Sequence, residues 1–207
     1  MTRVALLRPR GVLAVTLVCF AALAGGAALA GVLPADEAVR DALLDLASPP
    51  VVTALRVVNA AGDWRALLPG TVMLLVVFPR ARARWWLWLG LMLIAATGPD
   101  VVKAVVGRPR PGAASYGFPS GHATAAAAYF GALVYLAGSL RPPAPTLIRA
   151  ASVVMIVLVA VARVVLRAHW PSDALGGIAL GLALASATAL LAASSFSEGP
   201  ARAPRGS

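Results

Sequence analysis

Cysteine, lysine and histidine are almost missing from this chain, which has one, one and two of them in 207 residues. A lone Cys19, set in an apolar run, permits no internal disulfide and belongs to no redox or zinc motif. Charged residues make up only 13% of the chain, 60% of residues are hydrophobic, and the mean hydropathy is +0.84. Soluble proteins carry about a quarter charged residues, so a membrane protein is the default. Aromatics are also few, at 6%, and no basic patch is interleaved with them, so the net charge of +10 does not point to RNA or DNA. No internal repeat is evident.

What the chain does have is apolar length. Runs able to cross about 30 Å of hydrocarbon lie near residues 12–33, 85–98, 120–139, 147–166 and 174–193. A weaker run near 62–79 carries Asp63 and Arg65 at its edge and Pro69 within. The expected fold is therefore an all-α integral membrane protein of six transmembrane helices, with residues 1–193 as one membrane domain and 194–207 as a disordered cytoplasmic tail. Between the first two spans, residues 34–61 alternate acids with Ala38, Val39, Leu43 and Leu44 at helical spacing. They predict an extracytoplasmic amphipathic helix, a solvated linker without function of its own. The N-terminus resembles a signal peptide, with Ala28-Leu29-Ala30 as a candidate cleavage site. Its apolar stretch exceeds the usual run of about 7 to 15 residues, which favours an uncleaved anchor. Trp85, Trp86 and Trp88 suit an interfacial belt, and Gly177 and Gly181 suit close helix packing.

The distribution of charge gives orientation. Arg3, Arg8, Arg10, Arg80, Arg82, Arg84, Arg141, Arg149, Arg202 and Arg205 occupy the termini and alternate loops, where Glu198 is the sole acid. Those segments are expected to be cytoplasmic, in the plasma membrane. The lysine and both histidines fall instead in three polar patches: Lys103 to Pro111, Pro119 to His122, and Arg163 to Asp173. Six spans with a cytoplasmic start put all three patches on the extracytoplasmic side, which supports a single site.

Each patch carries chemistry. Ser120 after Pro119 is a good N-cap, so a helix should start there with unpaired N–H groups, and Gly121 allows an oxyanion to approach them closely. His122 beside it is suited to proton transfer, although a Ser-Gly-His start alone is more often a structural cap. His169 and Asp173 are four residues apart, with Pro171 suited to the first helical turn, so the carboxylate can reach the nearer ring nitrogen and leave the other to attack. In isolation that pair would more often stabilise a helix end, but ionisable groups at a membrane edge are costly enough to be functional by default. Lys103, Arg110 and Arg163, with Arg108 as an accessory, can supply the charge a phosphoryl transition state needs. Snorkelling to lipid headgroups is the other use of such cations.

Taken together, Lys103-x6-Arg110-Pro111, Pro119-Ser120-Gly121-His122 and Arg163-x5-His169-x3-Asp173 resemble the three-part signature of the type 2 phosphatidic acid phosphatase superfamily. That superfamily includes membrane lipid phosphatases, glucose 6-phosphatase and the vanadium haloperoxidases. The resemblance implies His169 as nucleophile through a phosphohistidine, Asp173 as its orienting partner, and His122 as the group that protonates the leaving oxygen and then activates water. It implies that Lys103, Arg110, Ser120, Gly121 and Arg163 hold the phosphate, with neither metal nor cofactor. Ala162 stands where the family usually has serine, and Arg167 where a small residue is common; Arg167 is a second accessory candidate, for a leaving phosphate. The expected partners are the bilayer and a lipid phosphate or diphosphate, among them an isoprenoid diphosphate such as undecaprenyl diphosphate, phosphatidic acid or phosphatidylglycerol phosphate. Oligomeric state stays open. Phosphate transfer to an acceptor other than water, or a non-enzymatic lipid carrier, are the alternatives.

Overall fold

The computed structural model describes residues 9–194. Four helices are individually long and apolar enough to cross a bilayer: α1 (Pro9–Ala30), α6 (Trp85–Val106), α8 (Ala144–Val165) and α9 (Pro171–Ser194). A fifth candidate is the pair α3 (Pro49–Ala60) and α4 (Trp64–Val77), which meet at a 52° bend and are long and apolar enough only when taken together. Asp63 caps α4, its Oδ1 accepting the Arg65 N–H at 2.9 Å. The short α5 (Pro79–Arg82) leads into α6.

The expected sixth span corresponds to α7 (Gly121–Leu136), which has only 16 residues. A helix that faces lipid needs about 20. α7 packs against α4, α6, α8 and α9 and buries Ala123, Ala125 to Ala128, Gly131 and Ala132. Protein rather than lipid surrounds it, so bilayer thickness does not set its length. Small residues make this possible. A Cβ on Gly177 would lie 2.6 Å from the Ser120 carbonyl oxygen, and one on Gly181 would collide with the Thr124 carbonyl, so α7 and α9 touch backbone to backbone. α1 also packs along α9.

The single amphipathic helix expected over 34–61 is instead two helices, α2 (Pro34–Asp45) and α3. The break follows from Pro49-Pro50: proline suits the first helical turn but forces the residue before it into an extended conformation, and Ser48 adopts φ −63°, ψ 158°. Nor is the segment merely solvated. Leu55 of α3 is buried with Ala162 and Val165 of α8, and Asp36 of α2 is 2% exposed. Trp85 and Trp86 face outward as an interfacial pair would, but Trp88 is buried in a core with Leu74, Phe78 and Leu91. After α6, capped by left-handed Gly107, a small antiparallel hairpin pairs β1 (Pro109–Arg110) with β2 (Ala113–Tyr116) around Gly112, whose φ is +69°. The expected disordered tail lies outside the described residues, apart from Ser194, which ends α9.

Candidate active site

The second and third polar patches are tied together by backbone. The Ser120 N–H donates to the Asp173 carbonyl at 2.9 Å, joining the start of α7 to the first turn of α9. Ser120 is fully buried as the N-cap of α7, with its hydroxyl 3.5 Å from the Ala123 N–H, which places Gly121 and His122 in the first turn. The loop before it is pinned by Phe118. That ring is fully buried, stacks on Phe20 of α1 at 5.9 Å, and fills the space a side chain on Gly176 would need.

His169 sits in the turn between α8 and α9, 1% exposed. The turn closes because the Ala168 and His169 N–H groups both donate to the Arg163 carbonyl, at 3.1 and 3.2 Å, and because Pro171 starts α9. Asp173, in the first turn of α9 where a carboxylate is favoured, uses both oxygens. Oδ2 accepts the Trp170 N–H at 3.0 Å and lies 3.4 Å from His169 Nδ1, while Oδ1 accepts from Arg108 Nη1 at 2.9 Å. Nε2 of His169 is the nitrogen Asp173 does not engage. Burial holds the His169 imidazole below its usual pKa; the Asp173 hydrogen bond opposes this, and the Arg163 and Arg110 charges add to it.

Arg108 is committed elsewhere than the phosphate. Its guanidinium is fully buried, donates to Ser172 Oγ at 2.6 Å as well as to Asp173, and is ion-paired with Asp36. Asp36 in turn accepts from the Ser172 N–H and hydroxyl, each at 2.8 Å, and from the Leu33 N–H at 3.0 Å. The chain Asp36–Arg108–Asp173–His169 thus runs from α2 to the imidazole. Burial raises the Asp36 carboxyl pKa, but the bonds from Ser172, Arg108 and Leu33 outweigh it and leave it below its ordinary value. Sequence alone did not flag Asp36 or Ser172; the one available signal was an acid three residues into a proline-started helix.

The cations converge on the same place. Lys103 Nζ pairs with Asp100 at 2.7 Å and lies 3.9 Å from where a Cβ on Gly121 would be. Arg110 Nε donates to the Tyr116 carbonyl at 3.0 Å, and its backbone borders Gly117, where a side chain would fall 2.7 Å from Asp173 Oδ2. Arg163 Nη1 donates to Asn59 Oδ1 at 2.9 Å, and its buried Nε has no protein partner among the described residues. Arg163, Lys103 and His169 are near enough to His122 to act on it electrostatically, as is Asp63, whose Oδ2 stands 3.7 Å from His122 Nε2. Asn59 and Asp63 were not among the sequence candidates. Arg167 is apart from this group. α8 ends at Val165, so Arg163 and Arg167 do not share a helical face; Arg167 has φ +57° and lines a cavity with Leu44, Val52 and Arg56.

A buried imidazole beside a carboxylate, a second imidazole at a helix N-terminus and three cations around them form an arrangement whose chemistry suits phosphoryl transfer. The PAP2 superfamily profile matches residues 84–196. The chain is also 30% identical over 166 residues to phosphatidylglycerophosphatase B of Bacillus subtilis (strain 168), covering 72% of this chain and 79% of that protein. A solved structure, a transmembrane PAP2-type phosphatidylglycerolphosphate phosphatase from Bacillus subtilis, superimposes with a TM-score of 0.70 at 26% identity over 94% of this chain and 98% of that one. The chain belongs to the PAP2 superfamily: it is a membrane phosphatase, a hydrolase acting on phosphoric esters.

Proposed function

We propose that this phosphatase removes phosphate from a lipid phosphate or diphosphate through a phosphohistidine on His169. The observation that carries the proposal is the Asp173 carboxylate at His169 Nδ1, 3.4 Å away, which fixes the ring and directs Nε2 to attack. Asp173 also stabilises the positive charge that develops on the ring. His122 gives a proton to the leaving oxygen and then takes one from the water that hydrolyses the intermediate. Lys103, Arg110 and Arg163, with Ser120 and Gly121 at the start of α7, hold the phosphate and its transition-state charge. Arg108 acts at second hand, through Asp173. With the charge work given to side chains, no metal or cofactor is needed. The similarity to a phosphatidylglycerophosphatase makes phosphatidylglycerol phosphate the first substrate to try, with phosphatidic acid and isoprenoid diphosphates beside it. In the test, purified protein is quenched during turnover of a lipid carrying labelled phosphate, in EDTA. Acid-labile label on wild type that is lost in His169→Ala is expected; turnover that needs added metal, or label that survives His169→Ala, overturns the mechanism.

In this proposal α7 is the sixth span, α2 and the site face the extracytoplasmic surface, and the arginine-rich loops face the cytoplasm. A cysteine placed at Ala114, in the exposed hairpin, should react with an impermeant reagent on intact cells, and one at Ala83 should not. The reverse pattern overturns the orientation.

A further inference from the structure

The family profile starts at residue 84, so the bend between α3 and α4 lies outside it. That bend nevertheless meets two residues of the site. Asp63 Oδ2 stands 3.7 Å from His122 Nε2, and Asn59 Oδ1 accepts from Arg163 Nη1 at 2.9 Å. Between them, the Gly62 backbone is so close to the first turn of α7 that a Cβ would fall 2.8 Å from the His122 carbonyl oxygen and 2.9 Å from Val159 Cγ1. The bend therefore cannot slide without disturbing His122.

The charges facing His122 are unequal in sign. Arg163 from α8, Lys103 from α6 and, when protonated, His169 from the α8–α9 turn oppose a further positive charge on this ring; among the described residues that act on it, Asp63 alone is negative. We infer that Asp63 is the positioning residue for His122, orienting its ring and stabilising the imidazolium that must be present when the leaving oxygen departs. The inference rests on the acid/base role proposed above for His122. His169 Nε2 gives its lone pair to phosphorus, forming the P–N bond as the P–O bond breaks, and the P–O electron pair stays on the leaving oxygen, which takes the His122 proton. Neutral His122 then takes a proton from water as that oxygen bonds to phosphorus and the P–N bond breaks, its pair returning to His169. Asp63 exchanges no proton in either step. Its position is fixed by its other oxygen, which caps α4. It also borders a cavity of about 420 Å³ lined by Arg56, Asn59, Ala60, Arg65 and Ala66.

Asp63→Asn tests this without dismantling the bend, because asparagine has the same shape and caps helices as well as aspartate does. Two substrates are compared in the full-length protein: a lipid phosphate, whose alkoxide leaving group needs a proton, and p-nitrophenyl phosphate, whose phenolate does not. On the lipid phosphate, kcat should fall on the order of 10- to 100-fold, while the loss on the aryl ester stays within about threefold. Independently, the alkaline limb of kcat/KM for the lipid should move to lower pH, and Asp63→Glu should restore part of both effects. Equal losses on the two substrates, or an alkaline limb that does not move, overturn the role of Asp63. If wild type itself turns over no lipid phosphate, the proposed function falls with it; wild-type turnover with equal losses in the variant removes this inference alone.

Discussion

Both imidazoles of the site have a carboxylate neighbour, yet the two surroundings differ in kind. His169 is 1% exposed, and its partner Asp173 is held on both oxygens by Arg108 and the Trp170 N–H. His122 keeps a side-chain exposure of 29% and meets an Asp63 that is 27% exposed, at 3.7 Å. A nucleophile gains from a fixed tautomer and a fixed ring, so rigidity and burial suit it. A group that gives and takes a proton in each turnover must exchange with water, so burial on that scale would hinder it. The contrast between a locked and an accessible imidazole is what one enzyme needs if the first attacks and the second shuttles protons.

Removing each ring in turn is the severest test of that contrast. His169→Ala should bring lipid phosphatase activity to background, because it removes the ring proposed to carry the phosphoryl group. His122→Ala should lose about 10²- to 10⁴-fold, the usual worth of general acid–base catalysis, and still form the phosphohistidine slowly. Single-turnover labelling separates them. Label trapped in His169→Ala, or identical residual rates in the two variants, would break the division of roles.

The lock itself can be opened one layer back. Asp36→Ala leaves the fully buried Arg108 with Asp173 and Ser172 but without its second anion. Breaking a buried pair costs about 3 to 5 kcal/mol, and the lower end is expected because one partner remains. Thermal unfolding in detergent measures it. Replacing both partners with apolar residues, as in Asp36→Leu with Arg108→Met, should recover part of the stability, since a buried pair of matched volume often gives little net gain. It should not recover activity, because Asp173 would still lack the Arg108 bond that steadies it. Recovery of both would mean that the network serves only folding.

Much of this was legible in the sequence, and the illegible part has a physical pattern. Lys103, Ser120, Gly121, His122, Arg163, His169 and Asp173 stood out as candidates because each lies at or beside a helix end, whereas Arg110, two residues after Arg108, sits in the β1 strand of the hairpin. Pro171 and Ser120 mark helix starts that the structure shows at those residues. Asp36, Asn59 and Asp63 were not, because each acts across 59 or more residues of sequence separation, through contacts that no local period encodes. Asp36 looked like one more acid on a solvated stripe, and only the packing of α2 against α8 and α9 buries it. α7 was readable as apolar but not as central, since alanine suits a lipid-facing helix and a crowded core equally well.

The pH profile sharpens the same contrast with a smaller effect. Because burial holds the His169 pKa below its ordinary 6.5, the ring stays neutral and nucleophilic down to lower pH than a free imidazole would. The acid limb of kcat/KM should therefore lie below pH 6.5, with activity falling as pH drops through the depressed pKa. The sign for stability is the same. The unfolded chain binds the proton first, so the contribution from His169 is complete above pH 6.5 and declines below it. Asp36 acts in a lower window: its depressed carboxyl stabilises the fold above its unfolded value of 3.8 and loses that effect as pH falls through the folded one. An acid limb above 6.5 would mean that another group governs attack.

The smallest expected effect is at Arg167, and it bears on how far the site extends. A straight continuation of α8 would bring Arg167 beside Arg163 and within reach of a second phosphate. The helix ends at Val165, however, and Arg167 takes up a left-handed conformation at φ 57°. It lines a cavity with Leu44, Val52 and Arg56. A charge-assisted bond to a leaving phosphate would be worth about 1.5 to 3 kcal/mol, or roughly ten- to a hundredfold in kcat/KM. Without that contact, Arg167→Ala should change kcat/KM by less than about threefold, and equally on matched monophosphate and diphosphate lipids. Arg167→Gly should be mildly stabilising or neutral, since glycine adopts a positive φ without the cost that a Cβ brings. A selective loss on the diphosphate lipid in Arg167→Ala would show that this turn rearranges to bring the guanidinium to the substrate, and would extend the phosphate site beyond Arg163.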